Sequence, residues 1–116
     1  HVGIYRNEAT LEPVKYYFKF PKLKNKKTAK IYMIDPMIAT GGSSIAALNL
    51  LKDRGIKDVT LVSILTAPEG LDSLKKHFPD KSFNVKIYSI AIDRKLNTFG
   101  YILPGLGDAG DRYFGT

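Results

Sequence analysis

Residues 31–44 read IYMIDPMIATGGSS: an apolar run, then a carboxylate, then a turn that contains two glycines. The run is β-prone, and a helical pattern begins directly after the turn. Gly41 and Gly42 carry no Cβ atom, so an anion can approach their backbone N–H groups closely. The helix adds unpaired N–H groups and the positive end of its dipole. This order of strand, acid, turn and helix predicts a phosphate site at residues 40–43.

The segments that follow predict an α/β fold. Helical periodicity covers Ser43 to Arg54, and a second helix begins at Pro68 and ends before Pro79. Apolar, β-branched runs at Val59–Leu65 and Val85–Ile92 are typical of buried parallel strands. Alternating strands and helices favour right-handed crossovers and a parallel sheet, which we expect to carry helices on both faces.

Ligands of open α/β sheets bind beyond the carboxyl ends of the strands. Four parts of the sequence fall there: Asp35, the turn at residues 40–43, residues 66–69 and Asp93. Asp35 is either a solvated carboxylate that ends a strand or a ligand-binding acid. Its place before an anion-binding turn favours the second interpretation.

The N-terminal residues predict a projecting β-hairpin arm. Val2–Tyr5 is a short strand candidate, and Val14–Phe20 is aromatic and β-prone. We expect the second segment to pair with residues 29–34 across a lysine-rich turn at residues 21–28. A small domain buries such an aromatic hairpin poorly, so it packs either on its own core or, as we favour, on a partner subunit.

Composition sets outer limits on function. A chain of 116 residues fits one domain, and 44% hydrophobic residues support a packed core. The absence of cysteine excludes disulfides and cysteine-ligated metals. No apolar run reaches the roughly 20 residues that span a bilayer, so we expect a cytoplasmic protein. Much of the net charge of +7 comes from five lysines within residues 22–30, which form either a solvated loop or an anion-binding surface.

Two motifs resemble those of uracil phosphoribosyltransferases. Residues 35–43, DPMIATGGS, resemble the family's loop for phosphoribosyl pyrophosphate (PRPP), and residues 100–112, GYILPGLGDAGDR, resemble its uracil-binding loop. Residues 5–8 and 10–13 are further family-like pieces. The resemblance implies a type I phosphoribosyltransferase-like fold and a single domain over residues 1–116. It also implies that the chain is the C-terminal part of such an enzyme and that this part is inactive when isolated.

The resemblance implies transfer of the 5-phosphoribosyl group from PRPP to N1 of uracil, giving UMP and pyrophosphate. Mg²⁺ would be carried by the substrate, with no metal ligands from the protein. The resemblance further implies a homodimer or higher oligomer that assembles through the hairpin arm, with GTP as a candidate activator. Neither a membrane nor a nucleic acid is an expected partner. A regulatory module that keeps the phosphate turn and binds RNA through the basic residues 22–30 is the competing class.

The resemblance also implies roles for individual residues. Asp35 would hold the ribose hydroxyls and act with Asp108 in catalysis, although an Asx-type turn explains Asp108 equally well without the family match. The second acid of many phosphoribosyltransferases is replaced by Pro36, as in the uracil family. The PRPP-binding residues would be Arg6, Asp35, Pro36, Met37, Ile38, Ala39, Thr40, Gly41, Gly42, Ser43 and Asp108. The uracil-binding residues would be Tyr101, Ile102, Gly107, Asp108 and Ala109, with Pro104 shaping the pocket.

Residues 105–110, GLGDAG, match the spacing of the Gly-x-Gly-x-x-Gly dinucleotide motif. That motif requires a long helix and a second strand after it. Too few residues follow Gly110 to supply them. Residues 100–110 contain four glycines and a proline, so we predict a loop there.

Overall fold

The computed structural model describes residues 1–7, 9–10 and 12–116, with the exception of the Arg6 side chain. No helix in this part of the chain is long and apolar enough to cross a membrane. The elements, in order, are β1 (Val2–Arg6), β2 (Pro13–Phe18), β3 (Ile31–Ile34), β4 (Met37–Ile38), α1 (Gly42–Asp53), β5 (Asp58–Thr66), α2 (Pro68–His77), β6 (Asn84–Ile92), β7 (Lys95–Leu96), β8 (Ile102–Leu103) and α3 (Ala109–Phe114).

The central sheet is parallel, as predicted. β5 lies in its middle, with β3 and β4 along one edge and β6 along the other. Successive strands β3, β5 and β6 are added side by side in the same direction across the sheet. Right-handed crossovers therefore place α1 and α2 on the same face. The core lies between these helices and that face, and it includes Leu48, Leu51, Val59, Leu61 and Leu74.

The opposite face of the sheet carries exposed apolar side chains. Tyr32 and Ile34 of β3 and Tyr88 and Ile90 of β6 are among them. We also expected helices on this face, but the described residues place none there. The strand order explains this, because a helix reaches the second face only when the direction of strand addition reverses.

The hairpin arm forms between β1 and β2, which are antiparallel. The predicted pairing of residues 14–20 with residues 29–34 is wrong, since β3 runs parallel to β5 inside the central sheet. The β1–β2 turn is closed by Asn7, whose side-chain oxygen accepts hydrogen bonds from the N–H groups of Ala9 and Thr10 at 2.9 and 3.1 Å. At the other end of the arm, the Arg54 guanidinium lies 4.0 Å from the centre of the Phe18 ring.

The C-terminal residues are more regular than predicted. β7 and β8 form a small antiparallel hairpin, so β8 lies inside the loop predicted over residues 100–110, and α3 begins within the last two residues of that loop. The side chain of Asp108 begins α3 by accepting a hydrogen bond from the N–H of Asp111 at 2.9 Å. An N-terminal cap of this kind stabilises even a short helix.

Candidate active site

A cleft of about 420 Å³ lies between the two sequence motifs, beyond the carboxyl end of β3. Residues 35–44 line it on one side, and residues 100–102 and 107–110 line it on the other. Ile4 of β1 also contributes to the lining. The volume falls in the range of small-molecule sites. The fold thus brings together two loops that are far apart in sequence.

Residues 40–43, which we call the phosphate loop, lead into α1. Gly41 occupies the N-cap position with φ 84°, and no side chain caps the helix. The hydroxyl of Thr40 accepts a hydrogen bond from the N–H of Gly42 at 3.4 Å. The first turn of α1 contains no acidic residue, so no carboxylate of its own opposes the positive helix end. The loop therefore has the geometry of an anion site.

The two glycines of the phosphate loop differ in how a side chain would be accommodated. Gly41 has a positive φ, and an added Cβ atom would lie 3.0 Å from the carbonyl oxygen of Gly70. An added Cβ atom on Gly42 would meet only ordinary contacts, 3.6 Å from Thr40 Oγ1 and 3.8 Å from Pro13 Cδ. The fold itself requires Gly41, whereas Gly42 leaves open backbone beside the cleft.

Asp35 follows β3 and turns its carboxylate toward the start of α1. Its Oδ2 accepts a hydrogen bond from Ser44 Oγ at 2.6 Å, and its Oδ1 accepts one from the N–H of Met37 at 3.3 Å. Burial raises the pKa of Asp35, while these two hydrogen bonds lower it in part. A carboxyl group with a raised pKa in a cleft is typical of functional sites.

Ser44 has a role that the sequence did not indicate. Its position in the helical pattern placed it on the apolar face of α1, and its side chain is indeed only 2% exposed. The hydroxyl, however, is directed to Asp35, nine residues earlier. No sequence spacing signals such a pair, because it depends on how β3 and α1 pack.

The base loop, residues 100–108, is fixed by contacts outside itself. Asp93 Oδ2 accepts a hydrogen bond from the N–H of Gly105 at 2.8 Å, and Arg112 Nε donates to the carbonyl of Leu106 at 2.7 Å. An added Cβ atom on Gly105 would overlap the carbonyl oxygen of Ile102. Gly107 has φ 79° and open space around its missing Cβ atom. These contacts hold the loop main chain in one shape beside the cleft.

Asp108 lies where both of the interpretations that its sequence left open would place it. It lines the cleft, and its Oδ1 also accepts the hydrogen bond from the N–H of Asp111 that caps α3. The turn-type role is therefore real. It also fixes the carboxylate at the junction of the two loops.

The structure assembles nearly all of the predicted site residues. Ile38 lies beside the cleft, but its side chain is 1% exposed and belongs to the core. The Arg6 side chain lies outside the described part of the chain, and Pro104 is absent from the cleft lining. Among the described residues, no group of three or more His, Asp or Glu side chains is placed to hold a metal ion. The predicted residues that line the cleft are Asp35, Pro36, Met37, Ile38, Ala39, Thr40, Gly41, Gly42, Ser43, Tyr101, Ile102, Gly107, Asp108 and Ala109.

Comparison with known proteins gives one consistent match. The sequence model of the family described as "Uracil phosphoribosyltransferase" matches residues 1–116. Proteins of that name from Dictyoglomus turgidum and Bacillus licheniformis are each 53% identical over the 116 residues of this chain, which cover 53% of each relative. The solved structure of AQ2163 protein from Aquifex aeolicus superposes with a TM-score of 0.86 at 40% identity, over 97% of this chain and 51% of that one. The chain thus spans about half the length of its relatives.

Proposed function

Because the chain belongs to the uracil phosphoribosyltransferase family, we propose that its cleft binds PRPP and uracil and supports the transfer of the phosphoribosyl group to N1 of uracil. One observation carries this proposal: a single cleft is lined on one side by the motif for the sugar phosphate and on the other by the motif for the base. The products are UMP and pyrophosphate.

The phosphate loop holds the 5′-phosphate of PRPP. The first backbone N–H groups of α1 have no partner within the helix, and the helix dipole favours an anion there. The hydroxyl of Thr40 already accepts from Gly42 and can donate its own proton to a phosphate oxygen. The open backbone at Gly42 lets the phosphate approach closely.

Asp35 acts on the ribose. In its ionised form it accepts hydrogen bonds from the ribose hydroxyls and stabilises positive charge that develops on the sugar as pyrophosphate leaves. Ser44 and Met37 hold the carboxylate in place before the substrate arrives. Mg²⁺ would be carried by the substrate and not held by residues of this chain, and it would supply positive charge that favours departure of pyrophosphate.

The base loop orients uracil. Main-chain groups of Ile102, Gly107 and Ala109 face the base, and Tyr101 shapes its site. Asp108 lies at the junction and contacts the PRPP side as well as the base. Support for this arrangement is the fixed shape of the loop, which Asp93 and Arg112 maintain from outside the cleft. Arg6, proposed for the pyrophosphate group, rests on the family motif alone.

The hairpin arm mediates assembly into a dimer or a larger oligomer. Tyr5, Tyr16 and Tyr17 are exposed on the arm, and the rings of Tyr5 and Tyr16 lie 6.1 Å apart. Aromatic side chains of this kind are enriched in protein interfaces. Activation by GTP is proposed from the family resemblance, and a cytoplasmic location is proposed from the sequence.

The decisive experiment is an assay of UMP formation from PRPP and uracil with the full-length natural polypeptide. The matched control is Asp35→Asn, which keeps the size of the side chain but removes its charge. We expect UMP from the natural protein and a large loss in the variant. The absence of UMP, together with RNA binding that weakens steeply with salt, would instead favour the regulatory module. The five lysines of residues 22–30, all exposed, are the surface which that alternative requires.

A further inference from the structure

The first turn of α2, Pro68 to Gly70, lies between the phosphate loop and the β7–β8 hairpin that carries the base loop. The turn is fixed to β4 at its start, where the N–H of Ala67 donates to the carbonyl of Ile38 at 2.8 Å. Ala67 is fully buried, and its neighbour Thr66 is as well. The start of the turn is therefore anchored in the core, while Glu69 within the turn is exposed.

Gly70 packs its backbone against the backbone of the phosphate loop. An added Cβ atom on Gly70 would overlap the carbonyl oxygen of Ala39 and lie 3.0 Å from Ile38 Cγ2. From the other side, an added Cβ atom on Gly41 would lie 3.0 Å from the carbonyl oxygen of Gly70. Gly41 thus makes room for the carbonyl of Gly70, and Gly70 makes room for Ile38 and Ala39, which lead into the phosphate loop. The position of α2 consequently sets the position of the phosphate loop.

Glu69, the adjacent residue, connects the same turn to the base side. Its carboxylate accepts a hydrogen bond from the N–H of Leu96 at 2.9 Å, across 27 residues of sequence. Leu96 in β7 pairs with Ile102 in β8, and Ile102 is 2% exposed and lines the cleft. The Leu96 hydrogen bond is the largest cause that lowers the pKa of Glu69, so the acceptor is the ionised carboxylate at neutral pH.

We propose that Glu69 and Gly70 are positioning residues that hold the phosphate loop and the base loop at one fixed spacing. The inference rests on the proposed function, because the spacing matters only if one loop binds PRPP and the other binds uracil. Neither residue lines the cleft. They act through Ala39 and Gly41 on the sugar-phosphate side and through Leu96 and Ile102 on the base side. Bond formation requires the reacting atoms about 3–3.5 Å apart, so a small change in loop spacing slows the reaction strongly.

The test compares Glu69→Ala and Glu69→Gln in the full-length natural polypeptide. Glu69→Ala removes the acceptor for the Leu96 N–H, so the KM for uracil should rise and kcat should fall, each by roughly 3- to 10-fold. The affinity for ribose 5-phosphate, measured by calorimetry, should not change, because the phosphate loop keeps its contact with Gly70. Glu69→Gln retains an acceptor oxygen and should restore most of the loss.

Gly70→Ala should give the opposite pattern. Pushing Ala39 away displaces the phosphate loop, so ribose 5-phosphate should bind roughly 10-fold more weakly or worse, with a smaller change in the KM for uracil. The control is Asp72→Ala, an exposed acid on the same helix, which removes one negative charge without touching either loop. It should match the natural protein in all three measurements.

The decisive readout is whether each variant affects uracil and ribose 5-phosphate to different extents. If Glu69→Ala changes uracil and ribose 5-phosphate binding by the same factor, or changes neither, the residue has no specific positioning role and the proposal is overturned. If Gly70→Ala fails to fold, the Glu69 pair still decides the question. A natural protein that binds ribose 5-phosphate but forms no UMP would refute the proposed reaction. The calorimetric comparison of Gly70→Ala with Asp72→Ala would still test the contact with the phosphate loop.

Discussion

Ser44→Ala tests whether the hydrogen bond to Asp35 controls the charge of that carboxylate. Burial raises the pKa of Asp35, and the Ser44 hydroxyl opposes this effect from 2.6 Å. Removing the hydroxyl leaves one donor, the N–H of Met37 at 3.3 Å. The substitution deletes a single oxygen atom from a buried position, so the packing of α1 on β3 should survive.

The size of the effect follows from the energy of the bond. A hydrogen bond to a charged group contributes ~1.5–3 kcal/mol. Losing this bond raises the pKa of Asp35 further in the variant, and at an acidic pH the same energy corresponds to a roughly 10- to 100-fold lower kcat/KM. In the proposed mechanism Asp35 acts in its ionised form, so activity should fall as pH falls through its pKa. The acidic limb of the pH profile should therefore move to higher pH.

The assay is kcat/KM for PRPP, measured as UMP formation from pH 4 to 9. Ser43→Ala is the matched comparison, because it removes a neighbouring hydroxyl from the phosphate loop that does not bond to Asp35. It should weaken PRPP binding at every pH and leave the acidic limb where it is. An acidic limb that stays in place or moves to lower pH in Ser44→Ala would refute the proposed control by Ser44.

Four further predictions follow, of which one concerns the phosphate loop, two concern Asp35 and one concerns the basic residues. Gly42→Val should weaken PRPP binding about 10- to 100-fold by calorimetry. The thermal unfolding temperature should stay close to that of the natural protein, because a Cβ atom fits at this position. Unchanged PRPP binding would contradict the anion site. Asp35→Asn should lower kcat about 100-fold with a smaller change in PRPP affinity, and a rise in KM alone would make Asp35 a plain binding group. The pKa of Asp35 is raised above 3.8, so the folded protein holds this proton more tightly than the unfolded chain does. The free energy of unfolding should therefore fall as pH rises from 3.8 through the pKa of the folded state. Asp35→Asn should remove this decline in a series of thermal melts. Replacing the lysines at 22, 24, 26, 27 and 30 with glutamine should leave UMP formation unchanged, and a loss of activity would show that the basic segment serves the reaction.

Local sequence signals determined the phosphate side of the site. Helical periodicity and the glycine pair fixed the start of α1 to within one residue, since observed and predicted starts are Gly42 and Ser43. Pro68 likewise marked the start of α2. These features are encoded by neighbouring residues, because a turn, a cap or a helical face depends on contacts only a few positions apart.

Strand partners were harder to predict than strands. The aromatic segment predicted at residues 14–20 is a strand as far as Phe18, but its partner is β1 and not β3. Both pairings suit the local sequence, and the choice depends on β3 being needed beside β5 in the central sheet. The choice between two possible strand partners depends on how the whole core is buried, and a local sequence pattern carries no information about that.

The contacts that complete the site were decided by tertiary structure alone. Ser44 reaches Asp35 only because β3 and α1 pack with one particular offset, and Glu69 reaches Leu96 only because α2 lies beside the β7–β8 hairpin. Hydrogen bonds between side chains and distant residues carry no periodic signature in the sequence. The sequence by itself therefore determined which two loops line the cleft, whereas the packing of α1 and α2 on the sheet decided how those loops are held and how far apart they lie.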